Sequence, residues 1–297
     1  MSLTAILFRK MCRKSDAARD EKLIFPADVE QVKDIDYAGT KDRYNLLDVY
    51  YPKNTEGLLP VIVSFHGGGY VYGTKDVYYH YGGCMAGLGF VFVNFNYHLA
   101  PRHKFPTQLA EANTVMEWVL RHGGEYHMDT RNIFMVGDSA GAQMCSQYAA
   151  IVSNPDYAAL FPFRVPEGLK LNAVGLNCGI YDMHRIVEAD KNMRSLRRDM
   201  FGKNYEKHGE MLNVTGHITS AYPPSFVMTS YYDFLKENAL PMYELIKSRG
   251  VECVYRCYGK EGQDYMGHVC HVNMNLDEAR EINRDEAEFF KKHLVLS

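Results

Sequence analysis

A single α/β domain, built on a mainly parallel sheet with helices on both faces, is the fold class that the 297-residue sequence predicts. Three observations carry this reading. Short β-rich runs alternate with helical segments along most of the chain, the pattern of strand–helix–strand units in a three-layer sheet. Several of the runs are continuously apolar and β-branched, as strands covered on both faces must be. The length and a hydrophobic share of 46% suffice for one large core, and no internal repeat or low-complexity segment interrupts it.

Taken in order, residues 1–30 place Leu3, Ile6, Leu7 and Met11 at helical spacing among many charges, which predicts one or two amphipathic helices. Asp48–Pro52 reads as an early strand closed by its proline, and Val61–Phe65 as a strand buried on both faces. Residues 90–97, Asn132–Val136, Ala173–Asn177, Ser225–Ser230 and Glu252–Tyr258 follow as further strands. Between them, Leu109, Asn113, Met116 and Leu120 recur at helical intervals. Ala142–Ser153 lacks Pro and Gly, Glu237–Arg249 ends at Gly250 where a left-handed cap is expected, and Asp277–His293 completes the helices. Residues 184–221 break the rhythm without a convincing strand. A connection that long inside one domain is more often a lid than an idle loop.

Composition narrows the partners. The formal net charge of −3, from 33 basic and 36 acidic residues, offers no polycationic face, so nucleic acid is not expected. Seven cysteines in an odd, scattered set do not form a disulfide framework. Cys253 and Cys257 share one strand face two pleats apart, too far for an unstrained bridge. Reduced thiols fit a cytoplasmic protein. The first residues carry their positive charges after a short apolar run, the reverse of a secretory signal. No stretch approaches the roughly 18 apolar residues of a membrane helix. No membrane partner is therefore expected. The 22 tyrosines against one tryptophan suit either a phenol-lined pocket or half-buried packing on strands and helix shoulders.

Two motifs carry chemistry. Gly137-Asp-Ser-Ala-Gly141 follows the strand ending at Val136 and precedes a helix, which is G-x-S-x-G in the context that gives it meaning. Such a turn exposes the Ser139 hydroxyl above the sheet beside a helix N-terminus. His66-Gly-Gly-Gly-Tyr70 directly follows Val61–Phe65. Consecutive glycines let backbone N–H groups converge on the oxyanion of an acyl-transfer intermediate. Gly68, Gly69 and Ala140 are the expected donors, with Gly67 setting the turn and, with Tyr70, bordering the substrate. Each motif alone also occurs as an ordinary glycine-rich turn; two, each after its own strand, point to a serine nucleophile.

The nucleophile needs a base, and this architecture orders Ser, acid, His along the chain. After the last strand stand His268, His271 and His293. His293 ends the terminal helix, where it is expected to be solvated. His268 hangs in the loop beyond the strand near Tyr258, and His271 competes with it. Asp233 sits at the carboxyl end of Ser225–Ser230, where an acid would orient the imidazole. The alternatives are that Asp233 caps the helix beginning near Glu237, or that Glu237 is the acid.

With His66-Gly-Gly-Gly69, Asn96-Tyr-His-Leu-Ala-Pro101, Phe105-Pro106, Gly137-Asp-Ser-Ala-Gly141, Asp233-Phe-Leu and the loop at His268 in place, the chain resembles the hormone-sensitive-lipase-like family of α/β-hydrolase carboxylesterases over roughly residues 40–295. His98 stands where the family usually has Arg, Val269-Cys270 where it has Gly-Phe after the catalytic histidine, and Ala142 where a third glycine is common. The resemblance implies an eight-stranded, mainly parallel sheet flanked by helices, and a helical cap from about residues 1–30 and 184–221. It implies a catalytic Ser139–Asp233–His268 triad, a small-molecule ester as partner, and, by resemblance only, a homodimer. No metal or cofactor is implied, because the scattered His and Cys lack zinc-ligand spacing. The reading is a serine carboxylic-ester hydrolase for short-chain or aryl esters. Amide hydrolysis on the same triad is the alternative, followed by a non-catalytic ligand-binding protein on this fold.

Overall fold

The strands that the sequence marks as continuously apolar form the middle of an eight-stranded sheet. The computed structural model describes residues 2–182 and 191–295. Its strands are β1 (Val29–Asp36), β2 (Leu46–Pro52), β3 (Leu59–Phe65), β4 (Val91–Phe95), β5 (Met128–Asp138), β6 (Ala173–Asn177), β7 (Ser225–Ser230) and β8 (Cys253–Tyr258). Their spatial order is β1-β2-β4-β3-β5-β6-β7-β8. Only β2 runs against its neighbours β1 and β4; the other pairings are parallel. Every residue of β4, β6 and β7 is buried, as strands with helices on both faces must be.

The helices are α1 (Leu3–Asp20), α2 (Tyr79–Gly87), α3 (Thr107–His122), α4 (Ala140–Ser153), the single turn α5 (Pro155–Ala158), α6 (Lys191–Phe201), α7 (Ala239–Ser248) and α8 (Asp277–Lys291). Alternate strand residues face opposite layers. Val61, Val63 and Phe65 join the core beneath α3, α4 and α7. Ile62 and Phe92 join the second core, which α2 and α8 cover through Met85, Ala86, Ile282 and Phe290.

Two elements differ from the sequence expectation. Residues 1–30 hold one helix, within the expected one or two, but by Val29 the chain has entered β1, a strand that the sequence does not mark. That strand has one wholly buried residue and a register shift between Val32 and Ile35, so it carries no apolar run to detect. Helix α2 was missed because Tyr79–Gly87 contains three glycines, poor helix formers. Packing requires two of them. A Cβ on Gly82 would lie 2.8 Å from the Tyr50 and Phe92 rings, and one on Gly83 would lie 2.7 Å from Phe25. Of the expected lid, 184–190 lie outside the described residues; from 191 onward come α6 and two 3₁₀ stretches, Tyr205–Leu212 and Thr215–His217. The seven thiols are all free; Cys253 is buried and Cys257 exposed. Cys145 is fully buried in α4.

Glu286 of α8 is buried between the layers, accepting hydrogen bonds from Asn177 Nδ2 at 2.9 Å and Tyr81 Oη at 3.0 Å. Burial pushes its pKa from the usual 4.5 up to about 7, against the opposing effect of these two donors. A carboxyl that holds its proton more tightly when folded loses stability for the fold as pH rises from about 4.5 to about 7. In urea unfolding, Glu286→Gln should therefore gain on wild type across that interval, and a gap independent of pH would refute the assignment.

Candidate active site

Ser139 stands alone between the end of β5 and the first turn of α4, at φ 53° and ψ −118°. A side chain rarely adopts that backbone conformation, which the surroundings must hold in place. The Ser139 N–H donates to the Asn177 carbonyl at 2.9 Å, and its own carbonyl accepts from the Gln143 N–H at 3.2 Å. The flanking glycines fit because the turn is packed backbone against backbone. A Cβ on Gly137 would lie 2.3 Å from the Gly141 carbonyl oxygen, and one on Gly141 would lie 2.3 Å from that of Phe65.

His268 and Asp233 meet Ser139 from the far end of the sheet. Asp233 follows β7 and is buried. Its Oδ1 accepts from the Leu235 N–H at 2.9 Å and lies 2.6 Å from His268 Nδ1; its Oδ2 accepts from Thr229 Oγ1 at 2.8 Å. Burial alone would raise its pKa, but the hydrogen bond and positive charge of His268, with the other two donors, bring it below the usual carboxylate value. His268 Nε2 lies 2.9 Å from Ser139 Oγ. The loop bearing His268 is pinned by Ser230 Oγ, which donates to the Gly267 carbonyl at 2.8 Å, and by a bridge between Tyr232 and Gly267. The Phe234 ring packs on the imidazole, centroids 4.3 Å apart.

The other candidates lie elsewhere. His271 is buried in the core beside Tyr81, its Nδ1 without a partner among the described residues, and burial drives its pKa down to about 3. His293, expected to be solvated, is only 13% exposed in its side chain; Nδ1 lies 2.9 Å from the Phe289 carbonyl and Nε2 3.3 Å from Glu252. Glu237 is exposed in a 3₁₀ turn after Asp233. His98 lies within hydrogen-bond distance of Glu111 and Asp42, away from Ser139.

The glycine loop closes the opposite side. Gly68 has φ +114°, and its carbonyl accepts from the Val71 and Tyr72 N–H groups at 3.1 and 2.9 Å. A Cβ there would lie 2.2 Å from the Tyr72 carbonyl oxygen. The Gly67 N–H is already given to the Tyr78 hydroxyl at 2.7 Å, which in turn donates to Asp138 Oδ2 at 2.8 Å. Burial raises the pKa of Asp138 to about 6, with Tyr78 and His268 acting the other way. This bridge joins the glycine loop to the Ser139 turn, and neither Tyr78 nor Asp138 was singled out from sequence. The N–H groups of Gly68, Gly69 and Ala140 donate to no intramolecular acceptor among the described residues, and Ala140, as the first residue of α4, could have none within the helix.

These groups line one cavity of about 390 Å³. Gly67, Gly68, Gly69, Tyr70, Ser139, Ala140 and His268 border it, with the buried Tyr70 hydroxyl 3.3 Å from Gln143 Oε1. Sequence reasoning did not name most of the remaining wall: Phe8, Met11, Cys12 and Arg19 of α1, Leu196 of α6, and Ile180, Phe234, Val269 and Val272. Helix α1 is held in this position by hydrogen bonds that include the Tyr72 hydroxyl donating to Asp16 Oδ2 at 2.8 Å and Asn275 Nδ2 donating to the Arg19 carbonyl at 2.7 Å. Ser2 donates from N and Oγ to Asp199 of α6 at 3.0 and 2.6 Å, Arg9 donates to the Val71 and Ala100 carbonyls, and Arg19 donates to the Val77 carbonyl at 2.8 Å. Among the described residues, the one trio with metal-ligand types is Cys178, Asp233 and His268, their donor atoms within 4.8 Å of one another. A cation would have to displace the proton that His268 shares with Asp233.

This sheet, with a serine in a strained turn after β5 and a glycine loop after β3, defines an α/β hydrolase. Residues 62–267 match the family described as alpha/beta hydrolase fold, and the chain belongs to that family, whose members resemble hormone-sensitive lipase. Among curated relatives it is similar to esterase LipI of Mycobacterium tuberculosis, at 26% identity over 68% of this chain and 65% of LipI. It is also similar to the probable carboxylic ester hydrolase LipM of the same organism, at 28% identity over 68% of this chain and 48% of LipM. The match thus spans from about half to under two thirds of these relatives. Among solved structures, esterase B from Lactobacillus rhamnosis superposes with a TM-score of 0.89 at 21% identity, covering 97% of this chain and 93% of that one, which shows the shared fold.

Proposed function

We propose that the protein is a serine carboxylic-ester hydrolase that acts on small short-chain or aryl esters through an acyl-enzyme. The single observation that supports this most is the hydrogen-bonded chain Ser139–His268–Asp233 inside a cavity bordered by unpaired backbone N–H groups. In this reading His268 Nε2 takes the Ser139 proton as Oγ attacks the ester carbonyl. Asp233 fixes the imidazole tautomer and stabilises the imidazolium. The N–H groups of Gly68, Gly69 and Ala140 receive the oxyanion, and His268 then protonates the departing alcohol. Water repeats the sequence to release the acid. Helices α1 and α6 serve as the cap over the acyl and alcohol sites. A cavity of about 390 Å³ with mainly apolar walls suits a short acyl or aryl group better than a long-chain triglyceride.

The test is hydrolysis of p-nitrophenyl esters of increasing acyl length, with matched p-nitroanilides beside them. Turnover should peak at short chains, and the anilides should be cleaved much more slowly. His271→Ala should keep most of the wild-type turnover if it folds. Anilide cleavage as fast as ester cleavage would make the protein an amidase, and no turnover of either would leave a ligand-binding scaffold.

A further inference from the structure

Helix α1 gives one face to the cavity and another to water, and the second face is unusual. Leu3, Ile6, Leu7 and Met11 are exposed at 71, 49, 58 and 63%. Exposed apolar side chains are ordinary when they stand singly; four on neighbouring turns of one helix make a stripe that calls for a partner. These are not core residues left uncovered, because α1 already buries its opposite side, with Ala5 fully covered and Phe8 and Cys12 against the cavity.

Charge identifies the partner. From Leu3 to Ser15 the ionisable side chains of α1, its thiol aside, are Arg9, Lys10, Arg13 and Lys14, with no acid among them. None of the four pairs with a carboxylate among the described residues. The acids of the helix, Asp16 and Asp20, come later and are held by Arg19. A chain of net charge −3 thus concentrates positive charge beside this exposed apolar stripe. No helix among the described residues is long and apolar enough to cross a membrane, so α1 can lie on a bilayer but not span one. A second copy of the chain fits less well, since two such helices meeting about a two-fold axis would oppose their basic residues.

We infer that α1 docks the protein on an anionic lipid surface. The apolar stripe enters the boundary between headgroups and acyl chains, and Lys10, Arg13 and Lys14 reach the headgroups along their own aliphatic stems. The stripe runs into the rim of the catalytic cavity, because Met11 belongs to both, and the 69% exposed Phe234 stands on the same rim against His268. Docking therefore brings the mouth of the cavity to the surface, and the substrates are amphiphilic esters that partition into it; this last step rests on the ester-hydrolase reading. The sequence expectation of no membrane partner drew on the lack of a spanning segment, which does not bear on a helix lying flat.

The experiment is vesicle co-sedimentation of the full chain, with turnover of a soluble short ester measured in parallel. Vesicles of phosphatidylcholine containing about a third phosphatidylglycerol should bind the protein, and pure phosphatidylcholine should bind it about tenfold more weakly. Leu3→Ser/Leu7→Ser and Lys10→Glu/Lys14→Glu should each weaken binding by about tenfold or more, and 0.5 M-range salt should act like the charge change. None of these four residues lines the cavity, so turnover of the soluble ester should persist and report an intact fold. No binding to the anionic vesicles, or binding that neither double variant alters, overturns the proposal. Concentration-dependent self-association in sedimentation velocity, removed by Leu3→Ser/Leu7→Ser and unaccompanied by vesicle binding, overturns it in favour of a second copy. Binding is read without turnover, so it stands or falls separately from the esterase reading.

Discussion

Ser139→Ala is expected to lower kcat on a p-nitrophenyl ester by about 10⁴- to 10⁶-fold while leaving the fold intact. The hydroxyl meets one side chain, His268, at 2.9 Å, so its removal exposes no buried donor elsewhere. Alanine also keeps the backbone bonds that hold the turn, from Ser139 N–H to Asn177 and from Gln143 N–H to Ser139. His268→Ala should cost a similar factor, because an unactivated hydroxyl is a poor nucleophile. The double variant should lose little more than either single one, since the two residues act as a unit in one step. Steady-state kinetics with circular dichroism on the three proteins decides the matter. Multiplicative losses would mean that the two groups act independently, and full activity in Ser139→Ala would remove the serine from the mechanism.

Gly141→Ala should be among the most damaging single-methyl changes near the site. Its Cβ would fall 2.3 Å from the Phe65 carbonyl oxygen and 2.8 Å from that of His66, and these are backbone atoms that no rotamer change can move. Either α4 lifts from the sheet or the end of β3 shifts, and that end carries the glycine loop. Overpacking of this kind costs typically about 1–3 kcal/mol, and the rigid neighbours place it at the upper end. A Tm lower by roughly 5 °C or more follows for a chain of this size, with a large loss of turnover at temperatures where the variant is still folded. Gly87→Ala is the contrast, because a Cβ there meets nothing within 4 Å. It should leave Tm unchanged or raise it slightly by narrowing the unfolded ensemble. Equal Tm values for the two variants would refute the packing argument.

What sequence alone could reveal follows the physics of each element. Ala173–Asn177 and Ser225–Ser230 are legible to the residue because both are wholly buried, and a wholly buried strand carries an apolar run, here Ala173–Leu176 and Phe226–Met228, with its polar residues at the ends. The edge strand β1 needs apolar residues on one face only, and its register shift breaks even that alternation. Helix α2 contradicts local propensity because its glycines answer to Tyr50, Phe92 and Phe25, which lie far away in sequence. Ser139, Asp233 and His268 could be selected because chain order and strand ends constrain them. His268 and His271 stay close competitors in sequence, three residues apart on the same loop. Only the fold turns one toward Ser139 and the other into the core. The hydroxyl bridge of Tyr78 has no motif, and the cavity wall from α1 depends on packing across nearly the whole chain length.

The ties of α1 have an evolutionary consequence. This helix furnishes Phe8, Met11, Cys12 and Arg19 to the wall around the ester while contributing none of the atoms that would exchange protons or bonds. Two of its ties, from Arg9 and Arg19, end on backbone carbonyls, which any sequence supplies. Substitutions on its inner face can therefore drift without disturbing β5, β7 or the loops they carry. Descendants of one ancestor could diverge in diet through a single exchangeable segment while inheriting the same reaction unchanged.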